Sequence, residues 1–500
     1  METALRRHSF QPPGPPPGMP RYYDSDVDFF AHVNARIESV FFDQLTFNGR
    51  ICEVHSTPDG GKRPVGIWGW NTWCGIHDLP PLVDASFRRV LEATIDEGLQ
   101  RPEPGTGLLP HAVPIDSDGR IGYVEGKPKV HYRTYDGVHG EDYCLDNIIC
   151  WAKMALELFL YTRNRRWFTL EKLSVIERST DYILTHFTSQ YNEHLIQSGI
   201  EGDWTENTNW HADNSNNNVC MVNCLDLLAE VEKVFGRDSR STKYLDASRN
   251  IREEFRKDSR AGGFWLEGRW FLHGNDGTGG RVYGDRYFES TANYFSILWD
   301  IADRSQEKLI FSYIDSNPGI EHPFPVLTNH LPRDNARRMN YGYTVTDGDV
   351  WLTLGAHAAV ARLRRGYQSQ ATRMYRAIVE YEKKEGTIHN NIRQDGSANE
   401  VWSPEVGNYG SLFTPLVEGV MGLRPVADGL IIDPRPLEGM TRFRTLVPLN
   451  YSGKQFALSL SFGRGGRRVA KIDGRTVWRG RGGFVLSPDF DDGSHVSIEA

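Results

Sequence analysis

Between residues 22 and 423 the sequence is a succession of helical-period apolar runs whose connections alternate in character, and this alternation narrows the possible folds most. The runs cover 24–42, 85–99, 143–161, 170–186, 219–235, 245–256, 287–303, 349–365 and 369–384. In the first, Val27, Phe30, Val33, Ile37 and Val40 form one helical stripe. The run 143–161 is apolar on most sides, which predicts a buried helix. Gly236, Gly366 and Gly386 follow such runs where a left-handed C-cap would sit. Some connections are short and charged (163–167, 237–240); others are long and rich in Trp, Tyr, Asn, Asp and Gly (66–78, 127–142, 198–218, 389–411). Long loops are uncommon in compact domains unless they carry function. On alternate connections of an antiparallel helical array they collect on one face, which predicts a helical toroid with a cleft at one end.

Around Arg424 the pattern changes to period-two runs at 430–432, 443–449, 456–462, 469–477 and 484–486, with hairpin signals at Gly465-Gly466 and Asp473-Gly474. The expected organisation is a Pro-rich tail over 1–20, a helical domain over 21–424 and a small antiparallel β domain over 425–500.

The length of 500 residues and the 39% hydrophobic, 24% charged composition describe an ordinary soluble chain with ample core material. A formal net charge of -8 argues against nucleic acid as partner, which needs a concentrated basic surface. The locally basic stretch 464–481 alternates like exposed strands with polar faces. Six cysteines are too few for a disulfide-built fold, and Cys144, Cys150, Cys220 and Cys224 lie in apolar helical runs as buried thiols would. Cys220 and Cys224 have no nearby ligands at zinc spacing, and Asp213–Asn218, though rich in oxygen ligands, lacks EF-hand spacing and reads as a polar capped loop. No metal or organic cofactor is expected. The N-terminal stretch has no apolar h-region and no segment reaches the ~20 apolar residues of a membrane span, so a cytoplasmic protein without a membrane partner is expected; oligomeric state is open.

Two segments crowd carboxylates against aromatic rings. Residues 199–210 hold Glu201, Asp203 and Glu206 beside Trp204 and Trp210; residues 400–409 hold Glu400, Trp402, Glu405 and Tyr409. Hydrolysing an acetal between sugars needs two carboxyl groups, one protonated and one ionised, flanking the bond. Asp203 is the first candidate for general acid, because the Trp204 indole would desolvate its charged form and raise its pKa; Glu206 and Glu201 are the alternatives. The competing structural role for Asp203 is capping the helix that follows. Trp70, Trp73, Trp204, Tyr343, Trp351 and Trp402 are candidate sugar platforms, each equally suited to core packing. Asp78, Asp142, Asp347 and Asp349 are candidate binders of sugar hydroxyls, with helix N-capping the preferred role for Asp349. Lys127–Tyr135 gathers Lys129, His131, Tyr132 and Arg133, as a polysaccharide lyase would need for a Tyr or His base and an Arg facing a uronate.

The order of these motifs resembles the glycoside hydrolases built on an (α/α)6 barrel, including trehalases, processing α-glucosidase I and mannosylglycerate hydrolase. Trp68-Gly69-Trp70-Asn71-Thr72-Trp73 with His77-Asp78 resembles their early W-x-W-D-[ST]-[FY] block. Gly107-Leu108-Leu109-Pro110-His111 resembles the G-x-[IL]-P-H turn, Ser198 through Trp204 the S-G-W-D acid loop, and Tyr343 through Trp351 the block before a late helix. Glu400-Val401-Trp402 with Gly410 through Pro415 resembles the base loop, and Gly422 through Leu430 the start of the β domain of related rhamnosidases and disaccharide phosphorylases. The resemblance spans most of 66–434. It implies a mainly α (α/α)6 toroid with a C-terminal β domain, a carbohydrate substrate, and inverting, exo-acting hydrolysis. It also favours Glu400 over Glu405 as base, since Glu400 alone occupies the E-x-[YW] position. Two positions depart from the pattern: Asn71 replaces an Asp, and Gly202-Asp203-Trp204 replaces Gly-Trp-Asp, which keeps the acid open among Asp203, Glu206 and Glu201. A lyase or a disaccharide phosphorylase on the same toroid, or a carbohydrate-binding protein, are the alternatives.

Overall fold

A computed structural model describes residues 23–30, 32–33, 36, 46–56, 62–116, 118–124, 126–132, 143–198, 212–275, 277, 288–326, 329–330, 349–389, 392–393, 395–397, 406–463 and 467–500. Eleven helices are described: α1 (Gly69–Ile76), α2 (Ala85–Leu99), α3 (Leu145–Thr162), α4 (Leu170–His186), α5 (Ser215–Val234), α6 (Asp238–Phe255), α7 (Ser290–Leu298), α8 (Arg304–Ser316), α9 (Leu352–Arg364), α10 (Gln368–Glu385) and α11 (Val406–Gly410).

Burial sorts them into two classes. All residues of α7 are buried, and α3 and α9 each leave a single position only partly buried, as expected of helices apolar all round. By contrast α6 and α10 bury one stripe, with Tyr244, Ser248, Ile251 and Phe255 on α6 marking it. The odd-numbered helices touch one another in a closed cycle, α1 to α3, α5, α7, α9, α11 and back to α1. Among the outer set, α6 packs on α5, α10 on α9, and α2 on α3.

The inner helices run the same way. Near their N-termini the Trp70 amide donates to Asn147 Oδ1 (2.9 Å) and Thr353 Oγ1 donates to the Gly407 carbonyl (3.0 Å). Toward their C-termini His77, Glu157, His357 and Trp299 converge instead. Glycine permits this close spacing. A Cβ at Gly69 would sit 1.9 Å from the Asn147 carbonyl oxygen, and one at Gly410 1.9 Å from that of Cys74. Backbone therefore meets backbone where α1 passes α3 and α11.

Several boundaries move from the sequence expectation for local reasons. Residues 23–25 are a strand, β1 (Tyr23–Ser25), where a helix from residue 24 was expected. α5 starts four residues before the apolar run because Asn214 caps it through the Asn217 amide, so 215–218 are helix and not loop. The run 287–303 ends as a helix at Leu298, and α8, unforeseen, begins with a capping box in which Asp303 accepts from Gln306 N while Gln306 returns a bond. Asp349 does not cap α9, whose N-cap is Trp351. The glycine caps are as read: Gly236, Gly366 and Gly386 all have positive φ, near 72°, 87° and 69°.

The C-terminal strands are β4 (Leu423–Val426), β5 (Gly429–Ile432), β6 (Arg442–Thr445), β7 (Leu449–Tyr451), β8 (Lys454–Ser461), β9 (Arg468–Ile472), β10 (Arg475–Gly480), β11 (Phe484–Leu486) and β12 (Ser494–Glu499), with β2 (Lys62–Trp68) and β3 (Ala112–Pro114) paired earlier in the chain. Strands β4, β5 and β11 form one sheet; β1, β6, β8, β12, β9 and β10 follow in order in a second, with β7 on β8. The domain is not wholly antiparallel, because β8 and β12 pair in parallel. The intervening β9–β10 hairpin and β11 supply the connection that a parallel pair requires. The first described strand, β1, pairs with β6, so residues 23–25 complete the C-terminal sheet.

Candidate functional site

The two ends of the inner helices differ in chemistry. At the N-terminal end, first-turn amides hold neighbouring backbone. Asn147 of α3 accepts from α1. Asn218 of α5 accepts from the Ile196 amide (3.0 Å) and donates to its carbonyl (3.0 Å). Asn293 of α7 does the same with Phe271, at 2.9 Å in both directions. Asn408 Oδ1 of α11 lies 2.9 Å from the Thr353 hydroxyl of α9, which shares its one proton between this oxygen and the Gly407 carbonyl. Asparagine suits this position because one side chain offers both a donor and an acceptor, matching both groups of a passing backbone. The segments leading into these helices are thereby tied to the ring. Trp70 and Trp351 stack at 6.4 Å, with Phe295 edge-on to Trp70 at 5.9 Å, as an aromatic floor.

Asp213, just before α5, is fully buried, and its carboxyl is pushed up to about 7 by burial against a hydrogen bond from Ser189. His111 and His131, whose backbones bridge, are held down to about 3 and 4 by burial, so both rings are neutral.

At the C-terminal end lies a largely buried charged cluster, with Arg364 and Glu418 partly exposed. The His77 ring bonds the Trp73 carbonyl through Nδ1 at 2.9 Å and faces Asp78 Oδ2 at 2.9 Å and Glu418 Oε1 at 3.5 Å through Nε2. Burial opposes the imidazolium, but the Asp78 and Glu418 carboxylates raise its pKa well above the ordinary value. Glu418, despite burial, is drawn down to about 2 by Arg364, which bonds it at 2.8 Å, and by His77. Glu157 is pushed up to about 7 by burial, against His77, Lys153 and the Trp73 indole, which donates to it at 2.9 Å. Lys153, fully buried, sets its ammonium 3.3 Å from the Trp73 ring centroid and 4.3 Å from that of Trp299. His77, Asp78 and Glu418 bring ligand atoms within 4.8 Å of one another, a spacing a metal ion could use. Arg364 and the His77 proton already balance these carboxylates, so the cluster fits an ion-pair network better than a metal site.

The structure thus separates residues that the sequence grouped. Trp70 and Trp351 lie together at the N-terminal end, both buried. Trp73 adjoins Trp70 at 5.6 Å between ring centroids but also reaches the charged cluster, in which Asp78 lies. The Trp73 ring is covered by His77 at 4.6 Å and by the Lys153 ammonium, and Asp78 is 3% exposed within the ion-pair cluster; neither is available to a sugar. Asp203, Trp204, Glu206 and Glu201, Tyr343 and Asp347, Glu400, Trp402 and Glu405, and Asp142 lie outside the described residues. The buried network of Lys153, Glu157, His357 and Glu418 was not anticipated. Its signal was present in α3, where Lys153 and Glu157 interrupt an apolar stretch at i,i+4 spacing.

The fold is shared with solved glycoside hydrolases. A sialidase structure superimposes with a TM-score of 0.59 at 13% identity, over 87% of this chain and 38% of that chain. The α-L-rhamnosidase from Dictyoglumus thermophilum gives 0.57 at 12% identity, over 91% and 47%. The GH63 mannosylglycerate hydrolase from Thermus thermophilus gives 0.50 at 10% identity, over 76% and 98%. The chain spans less than half the length of the first two. No protein-family model matches the sequence, and no curated protein matches it. No helix among the described residues is long and apolar enough to cross a membrane.

Proposed function

We propose that this chain is an inverting, exo-acting glycoside hydrolase on an (α/α)6 toroid, with Asp203 as general acid and Glu400 as general base. One observation carries the reading. The acidic segments 199–211 and 398–405 lead directly into the strand before α5 and into α11, and these two helices begin at the same end of the ring. Chain connectivity thus favours a common cleft, with Trp70 and Trp351 beneath it and the first-turn asparagines anchoring its rim. The likeness to rhamnosidase and mannosylglycerate hydrolase structures supports a saccharide substrate. Asp203 would protonate the glycosidic oxygen while Glu400 activates water on the opposite face of the ring, and inversion needs ~6.5–9.5 Å between the two carboxyls to admit that water. The lyase alternative is weakened by Tyr132, whose phenol is raised by burial and by the Glu103 charge, the wrong direction for a base.

The test is leaving-group dependence. Asp203→Asn should recover on glycosyl fluorides or dinitrophenyl glycosides, whose departure needs no proton, whereas Glu400→Gln should stay slow on both. Rescue in Glu206→Gln instead would move the acid to Glu206, and collapse in Glu405→Gln with an active Glu400→Gln would move the base to Glu405. Product release requiring phosphate would replace hydrolysis by phosphorolysis.

A further inference from the structure

The basic stretch 464–481 has no part in that chemistry. It holds seven basic residues and one acidic residue in a chain of net charge -8. The structure folds 468–480 into the β9–β10 hairpin, turning at Asp473-Gly474, both with positive φ, and places it at the edge of the larger sheet. Register assigns its faces. Ala470, opposite Trp478, is fully buried, and Trp478 packs toward Phe484, so this pair faces inward. Val469, opposite Arg479, faces outward, and strand alternation carries Arg467, Lys471 and Arg481 with it. Arg467, Arg475, Arg479 and Arg481 are exposed, but Arg475 lies beyond a bulge at Val477, opposite Ile472, and so belongs to the other face. Arg468 and Lys471 are paired with Asp433 and Glu499, but among the described residues no carboxylate pairs with those four arginines. The same register places Ser459 and Ser461 of β8 and Ser497, His495 and Glu499 of β12 on this face, with Glu499 neutralised by Lys471.

We propose that this outward face binds an acidic polysaccharide, a polymer bearing carboxylates on its sugar rings. Guanidinium forks match carboxylates in bidentate geometry, and the serine row offers donors and acceptors to ring hydroxyls. Outward residues two apart on a strand are spaced roughly 6.6 Å, a repeat comparable to a sugar unit. Nucleic acid fits less well, since single strands need aromatic faces for base stacking and Trp478 is turned inward. A lipid surface would want apolar anchors, and the hairpin exposes only Val477 as a large apolar side chain. The proposal concerns a surface outside the hydrolytic reading and stands or falls separately.

The experiment is direct binding of the full chain to polygalacturonate, neutral dextran, a DNA duplex and phosphatidylserine vesicles at low and high NaCl. Polygalacturonate should be bound, dextran should not, and binding should weaken with salt. The double variant Arg479→Ser/Arg481→Ser should bind polygalacturonate about 10-fold more weakly, the scale of two modest ion pairs, with unchanged melting temperature. Arg166→Ser, on the helical domain, should bind as wild type. If that pair melts early, Arg467→Ser supplies the same comparison. Equal binding by the folded variants, no binding of polygalacturonate, or tighter arginine-dependent binding of DNA or vesicles would each overturn the proposal; the second outcome would leave the arginines as guards of an edge strand. Turnover on a small glycoside, unchanged in these variants, keeps this outcome apart from that of the catalytic assignments.

Discussion

The inner helices present amides and hydroxyls at one end and charges at the other. At the N-terminal end Asn147, Asn218 and Asn293 bond neighbouring backbone and Asn408 meets the Thr353 hydroxyl, which ties the entering segments to the ring. At the C-terminal end His77, Asp78, Glu418, Arg364, Lys153 and Glu157 answer one another in a largely buried cluster. Neutral amides can hold a rim without imposing a field on a reacting sugar, whereas a buried ion network is strong only when complete. The contrast teaches that burial alone does not mark an active site: strongly perturbed groups occur at both ends, Asp213 and His111 at one, His77 and His357 at the other.

The sharpest break of this comparison is kinetic. Asp203→Asn and Glu400→Gln should each lose 10²–10⁴-fold in turnover, the usual scale of acid–base assistance, with unchanged thermal melting. Early melting together with the activity loss would make those segments structural. The converse belongs to the base: Glu418→Ala strands Arg364 and the His77 imidazolium, and should cost about 3–5 kcal/mol in urea unfolding while leaving KM of the folded fraction unaltered.

A pH series sharpens the comparison further. Glu157 is held near 7 against an ordinary 4.5, so the folded chain keeps a proton that the unfolded chain releases. Its stabilising contribution is full below about 4.5 and is lost as pH rises through 7. His357, held near 3 by burial and by the His77 charge against an ordinary 6.5, acts oppositely, and its share is lost as pH falls below 6.5. Denaturant unfolding of Glu157→Gln should therefore rise relative to wild type between pH 5 and 7.5; parallel profiles would remove Glu157 from the network. At the rim, Asn293→Ala should cost about 1–3 kcal/mol by leaving the buried Phe271 backbone groups unsatisfied. The smallest effect is expected outside the ring: Asp303→Ala, which breaks the α8 capping box, should cost ~1 kcal/mol without altering turnover.

What could be read in the sequence follows from what leaves a periodic trace. α4 was legible to the residue because Thr169 and the apolar spacing mark it, and the glycine caps because only a left-handed residue ends those helices cheaply. α8 was missed because its buried stripe is sparse (Ile310, Phe311, Ile314) and its best marker, the Asp303–Gln306 box, is a hydrogen-bond pattern. The β8–β12 pairing is parallel and non-local, so no alternation announces it. Trp70, Trp73 and Trp351 were grouped by sequence and do adjoin in space, Trp70 lying 5.6 Å from Trp73 and 6.4 Å from Trp351, but spacing did not reveal that Trp73 also meets the Lys153 ammonium. Nothing in local spacing says that α1 ends against the carboxylates of α3 and Glu418; only closure of the ring does.

Pairing of β1 with β6 has a consequence for how the chain is made. Asp24 meets Arg444 across 420 residues of intervening sequence. During synthesis Tyr23–Ser25 emerges before the described helices and stays without its sheet until β6 and β8 follow them. The helices can pack as they emerge, but this sheet closes only when residues 23–25 and 442–445 are both present. Its closure is thus a clasp that joins early residues to late ones. A ribosome stalled before residue 442 would hold a ring whose first strand has no partner.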